Sequence, residues 1–167
     1  SGASDFGLLL LDEQVPASYN PFYAGWDGTD AQTVQSTTGI HHPGGDLKKI
    51  CIDEDAPYHD NAAGAAVWWI DQWEDGVTEG GWSGSPLCDQ NHRIIGQLYG
   101  GAAACNGSVN NGQFDYYGRM GVSFNNGITE HLDPLGLGVE VLDGYPSAGC
   151  VTSFELDMGV GIASAPE

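Results

Sequence analysis

Basic residues are almost absent. Lys and Arg together number 4 against 23 Asp and Glu in 167 residues, a formal net charge of −19. Such a surface repels polyanions, so neither nucleic acid nor an anionic membrane is an expected partner. It favours solubility at high salt, where self-repulsion is screened. No run of about 18 apolar residues occurs, so nothing is expected to span a membrane. No C-x-x-C pair occurs among Cys51, Cys88, Cys105 and Cys150, which argues against a zinc site. Long helix-forming runs are scarce. In their place stand 26 Gly, 8 Pro, 5 Trp and 7 Tyr, a composition of short strands and many turns. Hydrophobic residues make up 41%, enough for the core of one domain, with or without a piece of another. An even cysteine count in this background fits a secreted, disulfide-permitting environment. The chain opens at Ser1 with neither Met nor a signal peptide and reads as a mature, processed or truncated piece.

Taken in order, Asp5 to Leu11 is one acid leading into an apolar strand that Asp12-Glu13 and Pro16 stop. Residues 12–30 read as a connecting segment. Strands are expected over Gln32–Ile40, Leu47–Ile52 and Ala65–Ile70, with the turn His41-His42-Pro43-Gly44-Gly45-Asp46 between the first two and a polar acidic loop over Asp53–Gly64. Pro86–Cys88 and Arg93–Tyr99 form a hairpin about Asp89-Gln90-Asn91-His92. Gly100–Gly112 reads as a long Gly/Asn loop and Phe114–Phe124 as another strand. Ile128–Leu132 reads as a short helix closed by Pro134. Residues 137–167, with strand-like pieces at Gly138–Leu142 and Val151–Leu156, read as a tail or the start of a further β module. Short β segments joined by Gly/Asn/Asp turns imply an all-β barrel or sandwich.

One stretch carries chemistry. In Gly80-Gly81-Trp82-Ser83-Gly84-Ser85-Pro86-Leu87 the glycines relax the backbone about a hydroxyl, as a nucleophilic serine requires. The competing reading is a Gly/Ser surface turn. An α/β-hydrolase elbow is disfavoured: position 85 is Ser, and a hairpin rather than a helix follows. Ser83 is preferred to Ser85 because Gly81 stands two positions before it. Asp53-Glu54-Asp55 and Asp71 to Glu79 are acid-rich but lack the spacing of an EF-hand, so solvated loops are expected and no metal or other cofactor. Asn106-Gly107-Ser108 is a sequon that by itself implies little.

Gly81-Trp82-Ser83-Gly84-Ser85-Pro86 resembles the nucleophile loop of chymotrypsin-like serine endopeptidases. Further blocks resemble the bacterial lysyl endopeptidases: Asp5-Phe6-Gly7-Leu8-Leu9, Tyr23-Ala24-Gly25-Trp26-Asp27, Gly39-Ile40-His41-His42-Pro43 with Asp46-Leu47-Lys48-Lys49-Ile50, Gly76-Val77-Thr78-Glu79-Gly80, Gly96-Gln97-Leu98-Tyr99-Gly100-Gly101 and Asp115-Tyr116-Tyr117-Gly118-Arg119. They follow the family's order over roughly residues 4 to 135. The resemblance implies a double β-barrel. Residues 1–11 would be the last strand of the first barrel with the triad acid, 12–30 the inter-barrel linker and 31–136 the complete second barrel with a short C-terminal helix.

It also implies roles. Ser83 would be the nucleophile, the N–H groups of Gly81 and Ser83 the oxyanion hole, and Asp5 a partly buried triad acid. Leu98, Tyr99 and Gly100 would pair with the substrate backbone, and Asp115 would select Lys first and Arg second. The competing readings are a strand-start cap for Asp5 and an exposed strand acid for Asp115. Tyr99 stands where the family often has His, which loosens the expected lysine preference. Trp68, Trp69 and Trp73 are expected to be mainly buried. The resemblance places a half-cystine at Cys105 with its partner upstream. Cys51 could instead pair with Cys88, and Cys150 could capture Cys105 or belong to the tail.

None of His41, His42, His59, His92 and His131 matches the family's catalytic histidine, which lies upstream of the triad acid. The expectation is therefore a secreted serine endopeptidase whose general base, with the rest of the first barrel, lies in a missing N-terminal part. Its partner would be a peptide or protein substrate, and this chain alone is expected to be inactive. The competing expectation is a non-catalytic extracellular module, structural or adhesive, that keeps the protease fold.

Overall fold

A computed structural model describes residues 4–42, 44, 46–106, 109–110 and 112–147. Its strands are β1 (Phe22–Tyr23), β2 (Gly25–Asp27), β3 (Thr37–His41), β4 (Lys49–Asp53), β5 (Tyr58–Ala62), β6 (Ala65–Ile70), β7 (Pro86–Asp89), β8 (Arg93–Gly101), β9 (Cys105–Asn106), β10 (Val109–Asn110), β11 (Asp115–Arg119), β12 (Val141–Leu142) and β13 (Tyr145–Pro146). Two short helices, α1 (Met120–Ser123) and α2 (Thr129–Leu132), flank a wider turn over Phe124–Ile128 that breaks at Asn126 and Gly127.

The molecule is all-β around one nine-stranded sheet in the order β4-β3-β7-β8-β11-β6-β5, with β2 parallel to β8 and β12 outside β2. No closed barrel is formed among the described residues. The sheet centre follows from composition. β6 is a continuous Val/Trp/Ile run hydrogen-bonded on both sides, and Val67, Trp68 and Ile70 are at most 2% exposed. Trp68 and Ile70 pack with Val34, Cys51, Trp73, Trp82, Leu87, Ile95, Leu98 and Tyr117 as the main core. A second cluster joins Trp26 to Met120 and Phe124 of the helical segment.

Several boundaries differ from expectation. The strand expected from Gln32 begins at Thr37, and β11 ends at Arg119, where the helical segment takes over. The acidic loop contains β5. Its Tyr-His-Asp-Asn-Ala sequence carries no apolar alternation because β5 is a sheet edge supported by β6 alone. The long Gly/Asn loop holds the small ribbon β9–β10. Residues 12–30 contribute β1 and β2, and β12 and β13 pair with them. Pro43, Gly45, Gly107, Ser108, Cys150 and the strand expected over Val151–Leu156 lie outside the described residues.

The largest correction concerns Asp5 to Leu11. It is neither strand nor buried: Asp5 is exposed with φ +51°, and Leu9, Leu10 and Leu11 are 91%, 81% and 66% exposed. An apolar strand needs a hydrogen-bonding neighbour, and no described strand lies beside this one. Only the start of the segment is anchored, through the Asp5 carbonyl and above all through Ser4. Ser4 is 1% exposed, its Oγ lies 2.5 Å from Ser123 Oγ, and its carbonyl accepts from Gln97 Nε2 at 2.5 Å.

Nor do Cys51 and Cys88 pair. Cys51 of β4 faces Gly39 of β3, whereas Cys88 of β7 faces Thr38. Adjacent residues of β3 point to opposite faces, and the intervening strand separates the two by roughly 10 Å, beyond the reach of a disulfide. Both remain thiols. Burial raises both pKa values, that of Cys88 to about 11, so neither is ionised at neutral pH.

Candidate active site

Thr78 to Pro86 crosses from the interior to β7 as a loop. Gly81 and Gly84 take φ of +94° and +90°, the left-handed region open to glycine, and a methyl group at either would meet nothing within 4 Å. The loop exit is docked on β8: Gly84 N–H donates to the Leu98 carbonyl at 2.7 Å, and Leu98 N–H donates to the Ser85 carbonyl at 2.8 Å. Ser85 N–H turns back to the Trp82 carbonyl at 2.9 Å. The N–H groups of Gly81 and Ser83 have no partner among the described residues. Ser83 is exposed, whereas the Ser85 hydroxyl is buried without a hydrogen bond. The loop therefore presents one hydroxyl and two free backbone donors.

These groups border a cavity of about 140 Å³ whose walls include Ser83, Gly81, Leu98, Gly100 and Asp115. Five of the residues singled out from the sequence thus meet at one concavity. Asp115, at the start of β11, is 2% exposed rather than a surface acid. Its Oδ2 accepts from Trp73 Nε1 at 2.7 Å and from Thr78 Oγ1 at 2.5 Å. Burial pushes its carboxyl above the usual range, and the Thr78 and Trp73 donors pull it back. A carboxylate so desolvated gains most from a cation brought into the cavity. Glu79, expected from the sequence to end a solvated acidic loop, lines the same space.

Gly101 is required by this arrangement. A Cβ there would collide with Asp115 Oδ1 and lie 2.7 Å from the Phe114 carbonyl oxygen. Gly101→Ala is expected to destabilise the protein by about 1–3 kcal/mol, as overpacking does, and to displace Asp115. A wild-type thermal midpoint for this variant would refute the close approach.

Two candidate residues stand apart. Tyr99 does not line the cavity. Tyr116 faces Gly100 and Tyr117 faces Leu98, which leaves Tyr99 as the extra residue of a bulge that re-aims its side chain. Its hydroxyl donates to the Ala63 carbonyl at 3.3 Å, and its ring meets Tyr116 edge-on. Asp5 is also absent from the cavity walls; Gln97 Nε2 reaches only its carbonyl, at 3.2 Å.

No histidine lines the cavity. His59 lies 3.7 Å from Asp30, His131 lies 3.6 Å from Glu130, and His92 sits at the β7–β8 hairpin with φ +62°. His41 is buried against Trp82, ring centroids 3.6 Å apart and planes within 14°. Burial, with His42 beside it, lowers its pKa to about 4, so it is neutral at physiological pH.

Away from the cavity, Asp53, Asp55 and Glu74 bring carboxylate oxygens within 4.8 Å of one another, the one metal-ligating arrangement among the described residues. Asp53 is 3% exposed, not solvated, and burial first, then Glu74 and Asp55, raise its pKa to about 7. A carboxyl raised in the folded state stabilises the fold only while protonated. Stability from this group is therefore full below the unfolded value near 4 and is lost as pH rises towards 7. Asp53→Asn keeps the acceptor for Asp55 N–H and removes the charge. Its stability relative to wild type is expected to grow by on the order of 3 kcal/mol between pH 4 and pH 8. Denaturant unfolding at both pH values measures this, and a difference that does not change with pH would contradict it.

The family of the lysyl endopeptidase C-terminal domain matches residues 1–118. A lysyl endopeptidase of Pseudomonas aeruginosa is 33% identical over 114 residues, covering 66% of this chain and 24% of the relative. The chain thus spans about a quarter of the length of that relative. By this match the chain belongs to the lysyl endopeptidase C-terminal domain family.

Proposed function

We propose that this chain is the nucleophile-bearing portion of a secreted serine endopeptidase that hydrolyses peptide bonds after Lys, and secondarily Arg. The observation that carries the reading is the shared cavity of Ser83, Gly81 and the buried Asp115. A P1 cation entering it would meet the Asp115 carboxylate, with Glu79 adding negative potential. The scissile carbonyl would rest against the N–H groups of Gly81 and Ser83, donors commonly worth roughly 3 kcal/mol each in such a site. Beyond Gln97, β8 has no β7 partner; the Leu98 N–H and carbonyl are taken by Ser85 and Gly84, so the edge open to an added peptide strand begins past Leu98, at Gly100.

A serine hydroxyl needs a base. None of the five histidines lines the cavity, and His41 reaches only its wall residue Trp82, by stacking, so the general base is assigned to an upstream part of the protein, with Asp5 as the acid that orients it. The exposed leucines after Asp5 support the same idea, since in a double barrel they would be covered by strands of the first barrel. These 167 residues alone are accordingly expected not to turn over peptides.

The absence of a cavity histidine also favours a second reading, a non-catalytic extracellular module with a protease fold. Digestion of an unfolded protein by the complete protein separates them. Cleavage confined to bonds after Lys and Arg supports the protease; cleavage after other residues refutes the Asp115 assignment, and no cleavage supports the module.

A further inference from the structure

Between Thr78 and Gly84 the loop holds Glu79, Gly80, Gly81, Trp82 and Ser83, of which only Trp82 is buried, at 4% exposure. Its neighbours on the chain are the two residues whose N–H groups face no partner. The glycines contact nothing through a side chain and impose no conformation. The downstream end is held by hydrogen bonds to β8, but those begin at Gly84, after Ser83. Between Thr78, bound to Asp115, and Gly84 the backbone is tied by the Ser85 N–H to the Trp82 carbonyl, and the Trp82 indole is the one buried side chain that adds a hold on Gly81 and Ser83.

That indole lies face to face on His41, the last residue of β3, which is 3% exposed. β3 is paired with β4 along its whole length, His41 facing Lys49, and with β7 as far as Gly39, which ties the support of the stack into the main sheet. The contact is stacking and not a polar link: His41 Nε2 and Trp82 Nε1 are both buried without a hydrogen-bond partner. The Cys51 thiol, 4.0 Å from His41 Nδ1, is the other polar group beside the ring. Burying two polar edges unpaired is unfavourable, a cost that the stacking and the packing of Trp82 in the core must offset.

The geometry points to His41 as a positioning residue, whose stack on Trp82 holds the Gly81 and Ser83 N–H groups in register as the oxyanion hole. The inference rests on the reading of Ser83 as nucleophile. It specifies a planar partner for Trp82 and no proton transfer by His41. Losing an oxyanion donor commonly costs about 10²–10³-fold in kcat, and a displacement of about 1 Å can cost about 10²-fold.

Two variants of the complete protein separate stacking from space-filling. His41→Leu fills much of the volume and cannot stack; His41→Phe stacks and has no ring nitrogen. His41→Leu is expected to lower kcat on a lysyl amide substrate about 10- to 100-fold with KM within about threefold, and to slow fluorophosphonate labelling in parallel. His41→Phe is expected to retain kcat within about threefold. Both should remain folded, because the replaced Nε2 has no partner to lose and Nδ1 loses only the weak contact with the Cys51 thiol; thermal unfolding checks that each melts above the assay temperature. A His41→Leu protein with wild-type kcat, or a His41→Phe protein as impaired as His41→Leu, overturns the inference while leaving Ser83 as nucleophile. A wild-type protein that is inactive and unlabelled overturns the Ser83 reading, and the positioning role with it.

Discussion

Ser83→Ala in the complete protein is expected to lower kcat for a lysyl amide substrate by about 10⁴-fold or more, with KM little changed. The size follows from what the residue does. Hydrolysis through an acyl-enzyme replaces one difficult step by two easier ones, and without the Oγ no acyl-enzyme forms. The residual rate would come from the backbone donors and from binding, which the substitution leaves in place. Ser85→Ala is the matched control. Its hydroxyl is buried, has no hydrogen-bond partner and does not border the cavity, so activity within a few-fold of wild type is expected. Equal losses in the two variants would mean that loop integrity, and not the Ser83 hydroxyl, sets the rate.

The second large effect is expected at Asp115. Asp115→Asn preserves shape and an acceptor for Trp73 Nε1 but removes the charge. Truncating one member of a buried charge pair costs about 2–5 kcal/mol, so kcat/KM for Lys and Arg substrates should fall by about 10²–10³-fold. Substrates with an uncharged P1 residue should be nearly unaffected. Stability should not fall. Burial raises the Asp115 carboxyl in the folded chain, so its ionised form opposes folding at neutral pH, and Asn relieves that. Uniform loss over all P1 residues would point to a collapsed cavity instead of a missing counter-charge.

How far the sequence reaches can be seen residue by residue. β6 and the β7–β8 hairpin were legible because their signals are local: a Val/Trp/Ile run in one case, turn residues between two apolar stretches in the other. The Ser83 loop was legible because glycine spacing is a backbone property. Asp115 was identified through family resemblance, and its burial against Trp73 and Thr78 became visible only in three dimensions. Asp5 to Leu11 went wrong because apolar content predicts a strand but does not supply a neighbour. β5 was missed for the opposite reason, a polar edge strand held by β6. The Tyr99 bulge depends on register between β8 and β11, and the His41–Trp82 stack joins residues 41 positions apart; neither leaves a local trace.

The most direct test of the account is covalent. The complete protein, active and folded, is treated with a fluorophosphonate probe, digested, and the modified residue is located by mass spectrometry. A single phosphonylated residue, Ser83, with labelling blocked by a lysine-mimicking competitive inhibitor, is the predicted result. Label on another serine, or an active protein that takes up no label, would contradict it.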